Sequence, residues 1–159
     1  MTCMPYFCFI LKKHNMEKRL NVEALEPNAY KAMMGIVGYL QTTALSNVHK
    51  HFISIRASQI NGCAHCLNMH TKEALNNGIT QQRIFLLSAW KDTNLFTEDE
   101  KSILALTEEV TRISEHGLSD AVYKKAVELL GENYVAQAIM AIVAINGWNR
   151  IAVSTNLAI

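Results

Sequence analysis

The chain is 159 residues long; half are hydrophobic, 18% are charged and only two are proline. That is a compact globular composition, long enough for one domain with a proper core and too short for two. A net charge of +1, with Lys and Arg scattered among Asp and Glu, excludes the basic stripe that nucleic acid or an anionic membrane surface would need.

In chain order, Met1–Leu11 is apolar but short. It has no basic residues before it and no small-residue cleavage site after it, so it does not fit a signal peptide. Residues 1–15 are either an upstream extension or an arm that packs on a neighbouring subunit, with the domain spanning 16–159. Pro27 opens a helix that carries Tyr30, Met33, Met34, Val37 and Leu40 and ends near Thr42–Ala44. A second helix begins at Ser46 and runs through Phe52, Ile53, Ile55 and Ala57 to about Gln59, where Asn61–Gly62 breaks the chain.

A third helix starts at Cys63 and stops at Asn76-Asn77-Gly78. Thr80 caps a fourth, with Ile84, Leu87 and Trp90 on its core side. Thr97-Glu-Asp-Glu100 is a capping box opening a fifth, and Ser119 caps a sixth that ends at Gly131. The last, from about Asn133 to Leu157, is apolar across Val135–Ile145 but holds Gln137, Asn146, Asn149 and Arg150. It reads as a central buried helix kinked at Gly147, with Arg150 in an ion pair or a subunit contact, and not as a membrane span. Trp90 and Trp148 are expected in the core or at an interface. No stretch alternates like a strand. The expected fold is all-α, a single-domain helical bundle.

The chemistry concentrates in Ser58-Gln-Ile-Asn-Gly-Cys63-Ala-His-Cys66-Leu-Asn-Met-His70. At about 100° per residue, a helix starting at Cys63 places Cys66 and His70 on the face of Cys63, and His65 on the other side. The unpaired N–H groups of a first turn favour a thiolate, and a C-x-x-C there lowers a cysteine pKa from about 8.5 to between about 3.5 and 7.5. His70 can take or return a proton one turn beyond Cys66. Such a thiolate can attack a peroxide to give a sulfenic acid, which the second cysteine condenses with to form a disulfide.

A C-x-x-C is also half of a zinc site, but zinc needs four ligands, no second C-x-x-C exists, and only histidines remain as candidates. No metal or other cofactor is therefore expected. Cys3 and Cys8 read as incidental thiols and His65 as a surface residue. A C-x-x-C in a chain too large to need structural disulfides points to a reducing, cytoplasmic setting.

Arg56-Ala-Ser-Gln-Ile-Asn-Gly-Cys-Ala-His-Cys66, Met69-His-Thr-Lys-Glu-Ala74, Gly78, Trp90, Phe96, Glu100 and Ala144-Ile-Asn-Gly-Trp-Asn-Arg150 together resemble the alkylhydroperoxidase D-like, carboxymuconolactone decarboxylase-like family, from about Met16 to the end. The resemblance implies an all-helical fold of the alkylhydroperoxidase D-like type with the C-x-x-C at a helix N-terminus, assembled as homotrimers or homohexamers. It implies a thiol-dependent peroxidase or disulfide reductase acting on small hydroperoxides. Cys66 would attack the peroxide, Cys63 would resolve and stay exposed to an external dithiol such as a dihydrolipoyl carrier, and His70 would relay protons.

One departure stands out. The family's glutamate, twelve residues before the first cysteine, is replaced by His51. Either His51 relays protons in its place, the preferred reading, or the relay is weakened. The alternative functions are a lactone decarboxylase, against which the thiol pair argues, and a zinc-stabilised oligomeric stress protein without catalysis.

Overall fold

The structure, a computed structural model, describes residues 17–159; the readings of residues 1–15 and of Cys3 and Cys8 lie outside the described residues. After a short first turn, α1 (Val22–Leu25), come α2 (Pro27–Gln41), α3 (Asn47–Asn61), α4 (Ala64–Asn76) and α5 (Gln81–Phe85). A 3-10 segment (Leu86–Asp92) leads to α6 (Glu98–Thr111), α7 (Ile113–His116), α8 (Asp120–Leu130) and α9 (Glu132–Ser154). No strand occurs among the described residues.

The expected caps at Thr80, Thr97 and Ser119 are in place, and Ser46, expected as the first residue of its helix, is the cap of α3. Ser46, Thr80, Thr97 and Ser119 each accept a backbone N–H of the following turn, and Thr97 with Glu100 completes the capping box. Each such cap is worth about 1 kcal/mol. The expected fourth helix is in fact two pieces. Its α-helical geometry lapses after Phe85, and Ala89 has φ −112° and ψ 24°. Its apolar residues are nonetheless buried as expected: Ile84, Leu87 and Trp90 all lie in the core.

α3 lies between two packed clusters. Ile53 and Ala57 meet Ile103 and Leu106 of α6 and Val135, Ala138 and Ile142 of α9. Phe52 and Ile55 meet Ala74 of α4, Leu87, Trp90, Phe96 and Leu104. Burial of a residue such as Phe52 or Leu87, neither of which retains exposed area, contributes about 1.5–3 kcal/mol. Because apolar residues leave α3 on both sides, its position is fixed in rotation as well as in distance. That orientation decides where the turn after it points.

Polar cross-links complete the frame. The Arg56 guanidinium donates to Glu108 at 2.7 and 2.8 Å, and the same carboxylate accepts from Trp90 Nε1 at 2.9 Å and Lys91 Nζ at 3.0 Å. Burial alone would push the Glu108 carboxyl up, but these donors together hold it below its ordinary range.

α9 runs unbroken through Gly147. What that glycine provides is room, since a Cβ there would stand 2.8 Å from Met33 Cε of α2. Of the two readings for Arg150, an ion pair or a subunit contact, the ion pair is absent among the described residues. Arg150 is exposed, and its guanidinium donates to the backbone and side-chain oxygens of Asn146 at 2.9 and 3.0 Å. The residue buried there is its neighbour Asn149. No helix among the described residues is long and apolar enough to cross a membrane.

Candidate active site

α3 ends where Gly62 adopts a left-handed conformation, φ 65° and ψ 30°, a region that costs any residue with a Cβ. The turn is closed by Cys63 N–H donating to the Ser58 carbonyl at 3.0 Å. It is anchored to α9 by side-chain amides: Asn61 Nδ2 donates to Asn146 Oδ1 at 3.0 Å and to Asn149 Oδ1 at 2.9 Å, and Asn149 Nδ2 donates to Ser58 Oγ at 3.0 Å. Cys63 is thus delivered at the N-cap of α4, and its sulfur accepts the Cys66 N–H at 3.3 Å.

Cys63 and Cys66 are joined as a disulfide, with Cα atoms 5.4 Å apart, inside the range a disulfide can span. Both are buried, at 1% and 3% exposure, and Ala152 near the end of α9 packs against them. The expectation that Cys63 stands exposed to an external reductant is therefore not met in this oxidised form. The reason is tertiary: the last turns of α9 cover the pair. His65 is not a free surface residue either; it is half-buried, with Nδ1 2.5 Å from the carbonyl of Ala158 in the C-terminal tail.

His70 and His51 lie together on the wall of a second feature, a cavity of about 370 Å³ between α2, α3, α4 and α9. Its polar side also holds Lys50 and Glu73, and its apolar side includes Val37 and Ile145. The cysteines do not line it. The four expected site residues are thus brought together as two pairs. The disulfide lies under the end of α9, and the two imidazoles lie in the cavity, with α4 carrying a member of each.

Burial holds the His51 imidazole below its ordinary value of 6.5. The Glu73 carboxylate opposes this, while His70 and Lys50 add to it. His49, two residues away, faces elsewhere, as expected. Its Nδ1 lies 2.7 Å from the Tyr134 hydroxyl, and burial lowers its pKa against the opposing pull of Glu100 and Asp99.

Sequence reasoning missed Glu73. Its Oε2 lies 2.8 Å from His70 Nδ1, at i,i+3 on the same helix face. The signal is in the sequence as His70-x-x-Glu73, the spacing that sets a carboxylate beside an imidazole on one helix face.

An all-helical domain in which a C-x-x-C caps a helix that carries a histidine one turn further on defines a class of dithiol proteins. Within that class the match is specific. The sequence pattern of the carboxymuconolactone decarboxylase family covers residues 27–109, and the chain belongs to that family. It is 34% identical over 139 residues to the uncharacterized protein YdfG of Bacillus subtilis (strain 168), covering 87% of this chain and 95% of YdfG. A crystal structure from Agrobacterium tumefaciens superposes with a TM-score of 0.86 at 37% identity, covering 89% of this chain and 97% of that one. That protein is of unknown function and is described as a candidate antioxidant defence protein AhpD. The fold is of the alkylhydroperoxidase D-like type.

Proposed function

We propose that this protein is a dithiol peroxidase and disulfide reductase acting on small hydroperoxides, within the antioxidant role its family and its thiol pair support. The observation that carries the reading is the Cys63–Cys66 disulfide at the start of α4, with His70 one turn beyond Cys66. In the reduced protein, Cys66 thiolate attacks the terminal peroxide oxygen. The O–O bond breaks, the alkoxide leaves and takes a proton relayed by His70, and Cys66 becomes a sulfenic acid. Cys63 attacks that sulfur, water leaves, and the disulfide forms. An external dithiol then gives two electrons and two protons by exchange and leaves as its own disulfide.

The helix terminus supports this chemistry because the unpaired N–H groups of the first turn stabilise a thiolate. His51, held neutral near pH 7 by burial, is able to accept a proton in the cavity it shares with His70. Because both sulfurs are buried in the disulfide, exchange with a bulky dithiol requires the end of α9 to yield locally. A homotrimer or homohexamer and a cytoplasmic setting belong to the same proposal.

Peroxide consumption with several dithiol donors tests it. Wild-type protein turns over, and Cys66→Ser loses at least about 100-fold, because the nucleophile itself is gone. Equal rates in the two would end the peroxidase reading.

A further inference from the structure

The cavity that His51 and His70 line also holds a carboxylate. Glu73 supplies it from α4, three residues beyond His70, with Oε2 2.8 Å from His70 Nδ1. The His70 ring is largely covered, at 17% side-chain exposure, whereas Glu73 is 48% exposed. With its carboxylate half exposed, such an i,i+3 pair adds little to stability, so its consequence lies in what it does to the ring.

An ionised carboxylate only accepts hydrogen bonds. A neutral imidazole bonded to it through Nδ1 must therefore carry its proton on Nδ1, and Nε2 is left with a free lone pair. Free imidazole side chains in water favour the opposite arrangement. The carboxylate thus selects which nitrogen can take a proton, and it also fixes the ring plane.

We propose that Glu73 is a positioning residue: it holds His70 with Nδ1 protonated and presents Nε2 as the proton-accepting atom for the thiol chemistry. This rests on the dithiol reading above. The nearby charged and titratable groups agree with the assignment. Lys50 and His51, which face the cavity from α3, provide no competing anion, and His51 is held neutral by burial.

The test is Glu73→Ala in the full chain. Alanine is at least as strong a helix former as glutamate, and the site is half exposed, so the variant folds. Two readouts are taken. The 15N shifts of the His70 ring at neutral pH identify the tautomer, and stopped-flow oxidation of the reduced protein by peroxide gives the rate of the thiol step. The expected result is a switch of His70 from the Nδ1–H to the Nε2–H form, together with a fall in oxidation rate of about 10–100-fold.

An unchanged tautomer overturns the proposal, and so does a switched tautomer with an unchanged rate. If wild-type protein does not react with peroxide at all, the peroxidase reading falls on that ground alone, and the tautomer comparison still decides whether Glu73 sets the state of His70.

Discussion

A histidine cannot replace a glutamate charge for charge, and at position 51 the difference is set by burial. His51 has its pKa below 6.5 in the folded protein, so the fold disfavours the protonated ring. Between the folded and unfolded values the unfolded chain binds more protons. Stability therefore rises with pH through that window, is fully present above about 6.5, and is lost as pH falls below it. Acidifying from about pH 7.5 to about 5.5 should lower the melting temperature of wild type more than that of His51→Ala, since removing the ring removes its share of the proton uptake. The same variant should consume peroxide several-fold more slowly at neutral pH, whereas His51→Glu should match or exceed wild type. An alanine variant with wild-type rates would remove His51 from the mechanism. The spacing of Cys63, Cys66 and His70 was legible in the sequence because all three lie on one helix, where angles follow from counting. The burial of both sulfurs was not, because Ala152, which covers them, comes from the far end of the chain.

At the scale of elements, the site depends on how α3 stops. Gly62 sits in the left-handed region with nothing within 4 Å of where a Cβ would go, so a substitution there meets a backbone penalty and no steric clash. Gly62→Ala should cost about 1 kcal/mol in chemical denaturation. Because this turn delivers Cys63 to the start of α4, the variant's disulfide should also re-form more slowly after reduction. A stability equal to wild type would show that the turn adopts another conformation. This boundary could be foreseen because glycine and the flanking caps signal locally, as did the starts of α3, α5, α6 and α8 at Ser46, Thr80, Thr97 and Ser119. The break at Ala89 and the single turn of α7 before Gly117 were not foreseen. Neither residue run has a breaker inside it. There the chain gives up ideal helix geometry while Leu87 and Trp90 reach the core and Trp90 Nε1 reaches Glu108, which tertiary packing decides.

For the molecule as a whole, the unbalanced element is α2. Its sequence Ala32-Met-Met-Gly-Ile-Val-Gly-Tyr-Leu40 is as apolar as a core helix, yet none of its residues is fully buried within the chain. It rests on α9 through Met33 at Gly147 and through Tyr30, edge-on to Trp148 with ring centroids 5.1 Å apart. Met34 and Tyr39 remain 47% and 45% exposed, and α9 adds Val143 at 48%. A monomer would leave this apolar surface in water, whereas association of copies would bury it, in keeping with the trimer or hexamer proposed above. The cavity holding His51, His70 and Glu73 takes Val37 and Leu40 of the same helix as part of its wall, so the proposed assembly would be linked to the site through α2. Replacing Met34 by glutamate puts a charge in such an interface and should convert the assembly to monomers in sedimentation-velocity runs at micromolar concentration. Because Met34 itself does not line the cavity, the monomer should keep the Cys63–Cys66 pair but lose part of its peroxide turnover as α2 loosens from α9. An unchanged sedimentation coefficient for Met34→Glu would place the subunit contact elsewhere and leave the exposed face of α2 without that explanation.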